Sequence, residues 1–166
     1  MIKVAILTLS DKGSKGERED LAGPLIREMI TGIGATVEYY EVIPDEKDLI
    51  KEKLMDYSKK VDLVLTTGGT GLSPRDVTPE ATLEVIDKEI PGIAETMRSA
   101  GLAKTRRAML SRAVAGIRGN ALIINMPGSP KAVKEGLEAI MDVIPHAIEK
   151  IKGSTRDCAD RNGARR

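Results

Sequence analysis

A glycine-rich loop follows an apolar segment near the middle of the chain. The segment 64–82 reads VLTTGGTGLSPRDVTPEAT, and its loop consists of Thr67, Gly68, Gly69, Thr70 and Gly71. Glycine adopts backbone torsions closed to other residues, and without a Cβ it lets a ligand approach the backbone. Successive N–H groups in such a loop can bind a phosphate. The loop matches neither the Walker A motif nor the dinucleotide fingerprint. It therefore predicts either a phosphate-binding loop of another type or only a tight turn.

Two carboxylates follow predicted strands and are candidates for metal binding. Asp45 comes after the apolar segment 36–43, and Asp76 follows Arg75 in the glycine-rich segment. Mg²⁺ prefers one or two carboxylates together with phosphate oxygens and water. The pair therefore predicts a divalent cation site. The structural alternatives are that Asp45 caps a helix and that Asp76 supports the turn before Thr78.

Two other loops carry polar residues suited to a ligand. The segment 10–23 is long enough to close over one, and its candidates are Ser10, Asp11, Asp20 and Gly23. The segment 125–133, NMPGSPKAV, places Gly128, Ser129, Pro130 and Lys131 at a predicted helix start. A helix N-terminus with a nearby lysine favours an anion. The alternatives are a solvated charged loop for the first segment and an ordinary capped helix for the second.

The elements that must position these loops alternate between strand and helix. Apolar runs predict strands over 2–10, 36–43 and 61–67, and a hairpin over 113–117 and 121–126 with its turn at 118–120. Helical spacing predicts helices over 25–33, 44–60, 78–90, 93–111 and 130–151, with Thr78 as an N-cap and a break at Pro145. This order predicts an α/β fold: one three-layer α/β/α domain over 1–152, with a mostly parallel sheet and an antiparallel edge hairpin. Residues 153–166 are predicted to be a flexible tail.

In such a sheet, ligands bind beyond the carboxyl ends of the strands. The predicted strands place four loops at that edge, namely 10–23, 44–45, 67–78 and 127–131. Every unusual polar feature of the chain falls in one of them. A single site at this edge is therefore expected.

Composition excludes several other functions. The formal net charge is +1, which gives no general attraction to nucleic acid or to an anionic membrane. A basic run, made of Lys104, Arg106, Arg107 and Arg112, is interpreted as a solvated helix face. No apolar run reaches the roughly 20 residues of a membrane span. We expect a cytoplasmic protein that binds neither nucleic acid nor membrane.

The reactive residue types are scarce. One cysteine, Cys158, leaves no internal disulfide, and it is assigned no role. One histidine, His146, lies far from the candidate loops and is predicted to be a surface or helix-end residue. A zinc cluster and a Ser-His-Asp nucleophile are therefore not expected.

The chain resembles the molybdopterin-binding MogA/MoaB family of molybdenum cofactor biosynthesis, whose domain also occurs in gephyrin and in the plant protein Cnx. The matching segments span residues 1 to about 152 and include LTLSDKGSKGEREDLAGP, VIPDE, LVLTTGGTGLSPRDVTPEAT, PGIAETMR and SRAVAGIRGNALIINMPGSPKAV. The chain contains the complete RDVTPE sequence, which resembles that of the MogA-type members. The insertion that some members carry after PGSPK is absent.

The resemblance implies a molybdopterin adenylyltransferase, which joins ATP and molybdopterin into adenylyl-molybdopterin and releases pyrophosphate with Mg²⁺. It implies that the family's two functional aspartates are Asp45 and Asp76 here. It also assigns nucleotide and substrate binding to the GGTG loop and to the PGSPK segment. A homotrimer and a hand-off to a molybdate-inserting enzyme are implied as well. Arg75 and Lys131 are candidates, from their charge alone, to contact pyrophosphate.

Two alternative functions stay open at this point. A MoaB-type member binds molybdopterin without catalysis. A CinA-like domain hydrolyses nucleotide pyrophosphates, although that class is expected to have a longer chain with a second domain.

Overall fold

A computed structural model describes residues 1–154 of the chain. Its strands are β1 (Ile2–Leu9), β2 (Ala35–Ile43), β3 (Leu63–Thr67), β4 (Lys88–Glu89), β5 (Ala115–Arg118) and β6 (Ala121–Met126). Its α-helices are α1 (Asp11–Ser14), α2 (Ala22–Ile30), α3 (Lys47–Tyr57), α4 (Thr78–Leu83), α5 (Pro91–Leu102), α6 (Pro130–Ile140) and α7 (Ile144–Ile151). Two 3₁₀ segments cover Thr31–Ile33 and Arg106–Leu110. The predicted tail lies outside the described residues from position 155 onward, and so does Cys158.

The strands form one mixed sheet in the order β2-β1-β3-β6-β5-β4. β1 pairs in parallel with β2 and β3, and β3 pairs in parallel with β6, while β5 and β4 complete an antiparallel edge. The predicted mostly parallel sheet with an edge hairpin is confirmed. Thr67 pairs with Thr8 on one side and with Met126 on the other, so the three central strands end within one residue of the same level. The loops that follow these strands therefore start side by side.

Helices cover both faces of the sheet. Alternate residues of β1 divide between two apolar clusters: Val4 and Ile6 pack towards α2, α5, α6 and α7, and Ala5 and Leu7 pack towards α3 and α4. The central strands are buried on both faces, which explains their nearly continuous apolar sequences. This arrangement confirms the three-layer prediction. In the part of the chain described, no helix has the length and apolar character needed to span a bilayer.

Several predicted helix boundaries differ from the structure, and two of these differences concern α4. Thr78 is the first residue of α4 rather than its cap, because Val77 occupies the N-cap position. α4 ends at Leu83, and the short strand β4 follows where the sequence predicted continued helix. A two-residue strand is too short to show an alternating pattern in the sequence, so only its pairing with β5 identifies it as a strand.

The predicted helix over 93–111 is also divided. α5 ends at Leu102, and the Thr105 side chain accepts a hydrogen bond from the Arg107 N–H to begin the 3₁₀ segment. The break predicted at Pro145 is confirmed, because α6 ends at Ile140 and Pro145 lies in the first turn of α7.

Leu65 and Leu83 provide a test of the central layer. Leu65 is fully buried in β3, whereas Leu83 is 49% exposed. We expect Leu65→Ala to lower the free energy of unfolding by about 2–5 kcal/mol, because it leaves a cavity among residues that cannot collapse. Leu83→Ala should change it by less than about 1 kcal/mol. Urea unfolding followed by circular dichroism measures both, and equal effects would contradict this assignment of the core.

Candidate active site

The four predicted loops meet at the carboxyl edge of the sheet, around two cavities that share several lining residues. The loop cavity, of about 550 Å³, is lined by residues of the segment 8–22 together with Asp45, Thr67–Gly69, Asp76 and Gly128–Pro130. The helix cavity, of about 520 Å³, is lined by Gly69–Gly71, Asp76, the segment 97–113 and the segment 127–136. Gly69, Asp76, Gly128 and Ser129 line both cavities.

The glycine loop has a conformation that other residues would not adopt. Gly68 and Gly69 have φ angles of 96° and 66°. A Cβ on Gly68 would overlap the Leu9 carbonyl oxygen, and one on Gly69 would overlap Thr78 Oγ1. The tight turn is therefore real, and it accounts for these two glycines without a ligand.

The amide side of the same loop is nevertheless available to a ligand. Among residues 1–154, the N–H groups of Gly69, Thr70 and Gly71 donate no hydrogen bond. Gly69 and Gly71 line the helix cavity together with Thr70, and Gly69 lines the loop cavity as well. Backbone N–H groups without a partner beside a cavity can bind a phosphate, so the loop can be both a tight turn and a phosphate-binding site.

A buried chain of hydroxyl and amide groups holds the loop to the sheet. Thr78 donates from Oγ1 to the Gly68 carbonyl at 3.0 Å and from its N–H to the Gly69 carbonyl at 3.2 Å. Thr82 Oγ1 donates to the Thr78 carbonyl at 2.8 Å, and Asn125 Nδ2 donates to Thr82 Oγ1 at 2.9 Å. Sequence reasoning missed Thr82 and Asn125. The signal available was a polar residue within an otherwise apolar predicted strand.

Asp45 and Asp11 hold two neighbouring loops together. The Asp45 N–H donates to Asp11 Oδ1, and the Asp11 N–H donates to Asp45 Oδ2, both at 3.0 Å. The Arg75 guanidinium donates two hydrogen bonds to the same Asp11 carboxylate, at 2.9 and 2.8 Å, and one to the Glu46 carboxylate at 2.8 Å. The alternative that Asp45 caps α3 is wrong, because α3 begins at Lys47 and Glu46 is its N-cap residue.

Asp11 and Asp45 differ in electrostatic environment. The Arg75 guanidinium and the Asp45 N–H hold the pKa of Asp11 down at about 2. Burial raises the pKa of Asp45, and the nearby charges of Asp11 and Asp76 raise it further, against the hydrogen bond from the Asp11 N–H. Its Oδ1 atom is buried without a hydrogen-bond partner in the described chain. An unpaired anionic oxygen of this kind is costly unless something compensates it.

Asp76 lies at the junction of the two cavities. Its Oδ2 atom accepts a hydrogen bond from the Ser73 N–H at 2.9 Å, so it does support the turn before α4. A Cβ on Gly71 would lie 2.9 Å from that same oxygen, which shows how closely the carboxylate approaches the glycine loop. The supporting role therefore does not remove Asp76 from the site.

A divalent cation fits the residues present. Asp45 and Asp76 line the same loop cavity, and Asp45 Oδ1 is an unsatisfied buried oxygen. Within residues 1–154 there is no cluster of three or more His, Cys, Asp or Glu side chains suited to a metal. A cation here would draw its other ligands from phosphate oxygens and water, the coordination that Mg²⁺ prefers.

The segment that follows β6 contributes a second helix start. Ser129 is the N-cap of α6 and accepts a hydrogen bond from the Ala132 N–H at 3.2 Å. Its neighbour Gly128 is exposed beside Gly68, and Pro130 lines the loop cavity. Lys131 is exposed and lines neither cavity. Arg75 also lines neither cavity.

The first loop is anchored by its own carboxylate. Asp20 accepts hydrogen bonds from the N–H groups of Ala22 and Gly23 and from the hydroxyls of Thr8 and Tyr40. Burial alone would raise its pKa, but these four donors leave it lowered. Ser10 lines the loop cavity and accepts a hydrogen bond from the Gly13 N–H at 2.9 Å to begin α1. The segment is therefore an ordered wall of the loop cavity.

Arg112 corrects the interpretation of the basic run. It was expected on a solvated helix face, but it follows the 3₁₀ segment and donates to the carbonyl oxygens of Gly71 and Asp76 at 2.8 and 2.7 Å. Arg98 and Arg107 line the helix cavity, a placement that sequence reasoning also missed. The sequence predicted one long helix over 93–111, which gave no indication that these side chains border a cavity.

Comparison with known proteins gives a consistent result. The family described as "Probable molybdopterin binding domain" matches residues 5–146. A relative from Helicobacter pylori named molybdopterin adenylyltransferase is 43% identical over 97% of this chain and 94% of its own length. One of that name from Escherichia coli K12 is 42% identical over 89% of this chain and 80% of its own length. The solved structure of the molybdopterin biosynthesis enzyme MoaB from Thermus thermophilus has 52% identity and a TM-score of 0.88, covering 93% of this chain and 98% of that one.

The unpaired oxygen of Asp45 yields a stability prediction. Because its folded pKa is raised, the ionised carboxylate destabilises the fold, and this cost grows as the pH rises through the folded pKa. Without nucleotide or divalent cation, Asp45→Asn should raise the free energy of unfolding at pH 8 by about 1 kcal/mol and by less at pH 4.

Asp48→Asn is the matched control, because Asp48 is an exposed acid in the first turn of α3. That variant should be neutral or slightly less stable, since an acid there favours the helix dipole. Urea unfolding at the two pH values measures both variants. A destabilised Asp45→Asn at pH 8 would show that the carboxylate contributes to the fold rather than costing it.

Proposed function

The chain belongs to the molybdopterin-binding MogA/MoaB family, and on that premise we propose that it is a molybdopterin adenylyltransferase. The reaction joins ATP and molybdopterin into adenylyl-molybdopterin and releases pyrophosphate. One observation of the site carries the proposal: the unpaired Asp45 carboxylate oxygen and the unbonded amides of the glycine loop border the same cavity system. Such a combination suits a phosphate with its cation.

The chemistry explains why the site needs no strong base. A phosphate oxygen of molybdopterin attacks the α-phosphorus of ATP, a new P–O bond forms, and the bond from the α-phosphorus to the bridging oxygen of the β-phosphate breaks. A phosphate monoester has its second pKa near 6, so the nucleophile is already largely a dianion at neutral pH. The barrier is the approach of one anion to another. Positioning and charge neutralisation therefore supply the catalysis.

The residues divide this work. The amides of Gly69, Thr70 and Gly71 bind phosphate oxygens and stabilise the charge that develops in the transition state. Gly128 and Ser129 at the start of α6 offer a second set of amides to an anion. Asp45 and Asp76 would hold Mg²⁺, which neutralises phosphate charge when it is bound.

The two cations proposed from sequence to contact pyrophosphate have different support. Arg75 is engaged by Asp11 and Glu46, which favours a role in fixing the Asp11–Asp45 contact. Lys131 is exposed in the first turn of α6 and lines neither cavity, so its ammonium group would be reached by a ligand that extends out of a cavity. We assign the pyrophosphate contact to Lys131 alone.

The same family membership supports a proposal about the cellular setting. We propose a homotrimer in the cytoplasm that passes adenylyl-molybdopterin to a molybdate-inserting enzyme. The relatives named adenylyltransferase favour this enzyme over the non-catalytic binding module.

The test is an assay of the purified chain with molybdopterin, ATP and Mg²⁺. We expect adenylyl-molybdopterin and pyrophosphate only when all three are present. Bound molybdopterin without product would instead support the binding module. Cleavage of ADP-ribose would support the CinA-like hydrolase.

Asp76→Asn tests the proposed cation site. The amide keeps the size of the side chain and an oxygen for the Ser73 N–H, but it removes the charge, so turnover should fall by at least about 100-fold. Molybdopterin binding should stay within about threefold, since the cation is proposed to act on the nucleotide. Asp142→Asn, in the exposed turn after α6, is the control and should keep normal turnover. Normal turnover of Asp76→Asn would eliminate the proposed role.

A further inference from the structure

Arg112 binds the glycine loop from the side opposite its free amides. Its backbone N–H donates to the Thr70 carbonyl at 3.0 Å, and its Nε donates to the Gly71 carbonyl at 2.8 Å. One terminal nitrogen donates to the Asp76 carbonyl at 2.7 Å. The other is paired with the Glu80 carboxylate in the first turn of α4. A single residue therefore fixes both ends of the segment between the glycines and Asp76.

These contacts determine where the amides point. In a trans peptide, the carbonyl of one residue and the N–H of the next lie in one plane and point in opposite directions. Bonding the Thr70 and Gly71 carbonyls to Arg112 therefore turns the N–H groups of Gly71 and Leu72 away from Arg112. Thr78 holds the carbonyls of Gly68 and Gly69 in the same way. The two anchors together orient four successive peptide groups.

Arg112 does not act on a ligand itself. It lines neither cavity, and all three kinds of guanidinium nitrogen already have protein acceptors. The pKa of Glu80 shows the same engagement: burial would raise it, but the hydrogen bond from Arg112 leaves it lowered. The contribution of Arg112 must therefore pass through the loop and Asp76.

A lysine would not reproduce this arrangement. The arginine side chain presents five donors in a rigid planar fork, whereas lysine presents one compact charge on a flexible stem. Lysine at position 112 could satisfy Glu80 or one carbonyl, but not the acceptors from Gly71, Asp76 and Glu80 together. Arg112→Lys therefore keeps the positive charge at this position and removes the planar set of donors.

We propose that Arg112 is a positioning residue for phosphate transfer, which sets the direction of the glycine-loop amides and the place of Asp76. This proposal rests on the adenylyltransferase function. Misplacement of a binding group by about 1 Å can cost about 100-fold in rate, so the effect should appear in turnover.

The experiment compares Arg112→Lys with Arg118→Lys in the full chain. Arg118 lies in β5 and also donates to a carbonyl, that of Val85, but it is outside both cavities. We expect Arg112→Lys to lower kcat about 10- to 100-fold while the KM for molybdopterin changes less than about threefold. Arg118→Lys should keep kcat within about twofold. A normal kcat for Arg112→Lys, or equal losses in both variants, would overturn the proposal.

A second measurement is independent of activity. The N–H groups of Ser73 and Asp76 are hydrogen bonded within the loop, so their exchange with solvent reports on its opening. Arg112→Lys should speed their hydrogen exchange by at least about tenfold, and Arg118→Lys should not. Unchanged exchange would refute the positioning role even if the wild-type chain proved inactive. Faster exchange in an inactive wild-type chain would uphold the anchoring of the loop and refute only the adenylyltransferase function.

Discussion

The site depends on a loop whose peptide groups are bonded on one side and free on the other. The carbonyls of Gly68 and Gly69 are held by Thr78, and those of Thr70 and Gly71 are held by Arg112. Because each carbonyl shares a rigid plane with the next N–H, bonding one side fixes the direction of the other. The free amides are therefore oriented before any ligand arrives, which is the property that electrostatic catalysis requires.

The surrounding carboxylates show how the fold tolerates several negative charges at one place. Arg75 neutralises Asp11, whose own N–H and carboxylate position Asp45. One oxygen of Asp45 is left without a partner and with Asp76 as a near neighbour. Such a group makes the isolated protein less stable, but it suits a bound cation. Stability and binding therefore make opposite demands on Asp45.

The register of the sheet brings these separate loops into one place. Thr8, Thr67 and Met126 are neighbours across three parallel strands, so the segments that follow them leave the sheet at one level. Asn125, next to the end of β6, connects that strand through Thr82 to the start of α4. The loop geometry is thus tied directly to the most buried part of the molecule, where helices cover both faces of the central strands.

The sequence by itself determined the layers of the fold and the candidate loops. Apolar strands such as 2–10, the glycines at 68 and 69, and the break at Pro145 are local signals, because periodicity, positive φ angles and the missing proline N–H each act within a few residues. The resemblance to a family supplied the roles expected of Asp45 and Asp76. These residues do line the same cavity.

Only the tertiary structure decided the remaining features. The strand β4 exists because it pairs with β5, and Arg112 reaches the glycine loop from a position 41 residues beyond Gly71. The pairing of Arg75 with Asp11 spans 64 positions of the chain. Contacts between residues so far apart leave no periodic trace in the sequence. They depend on which elements the packed sheet and helices bring together.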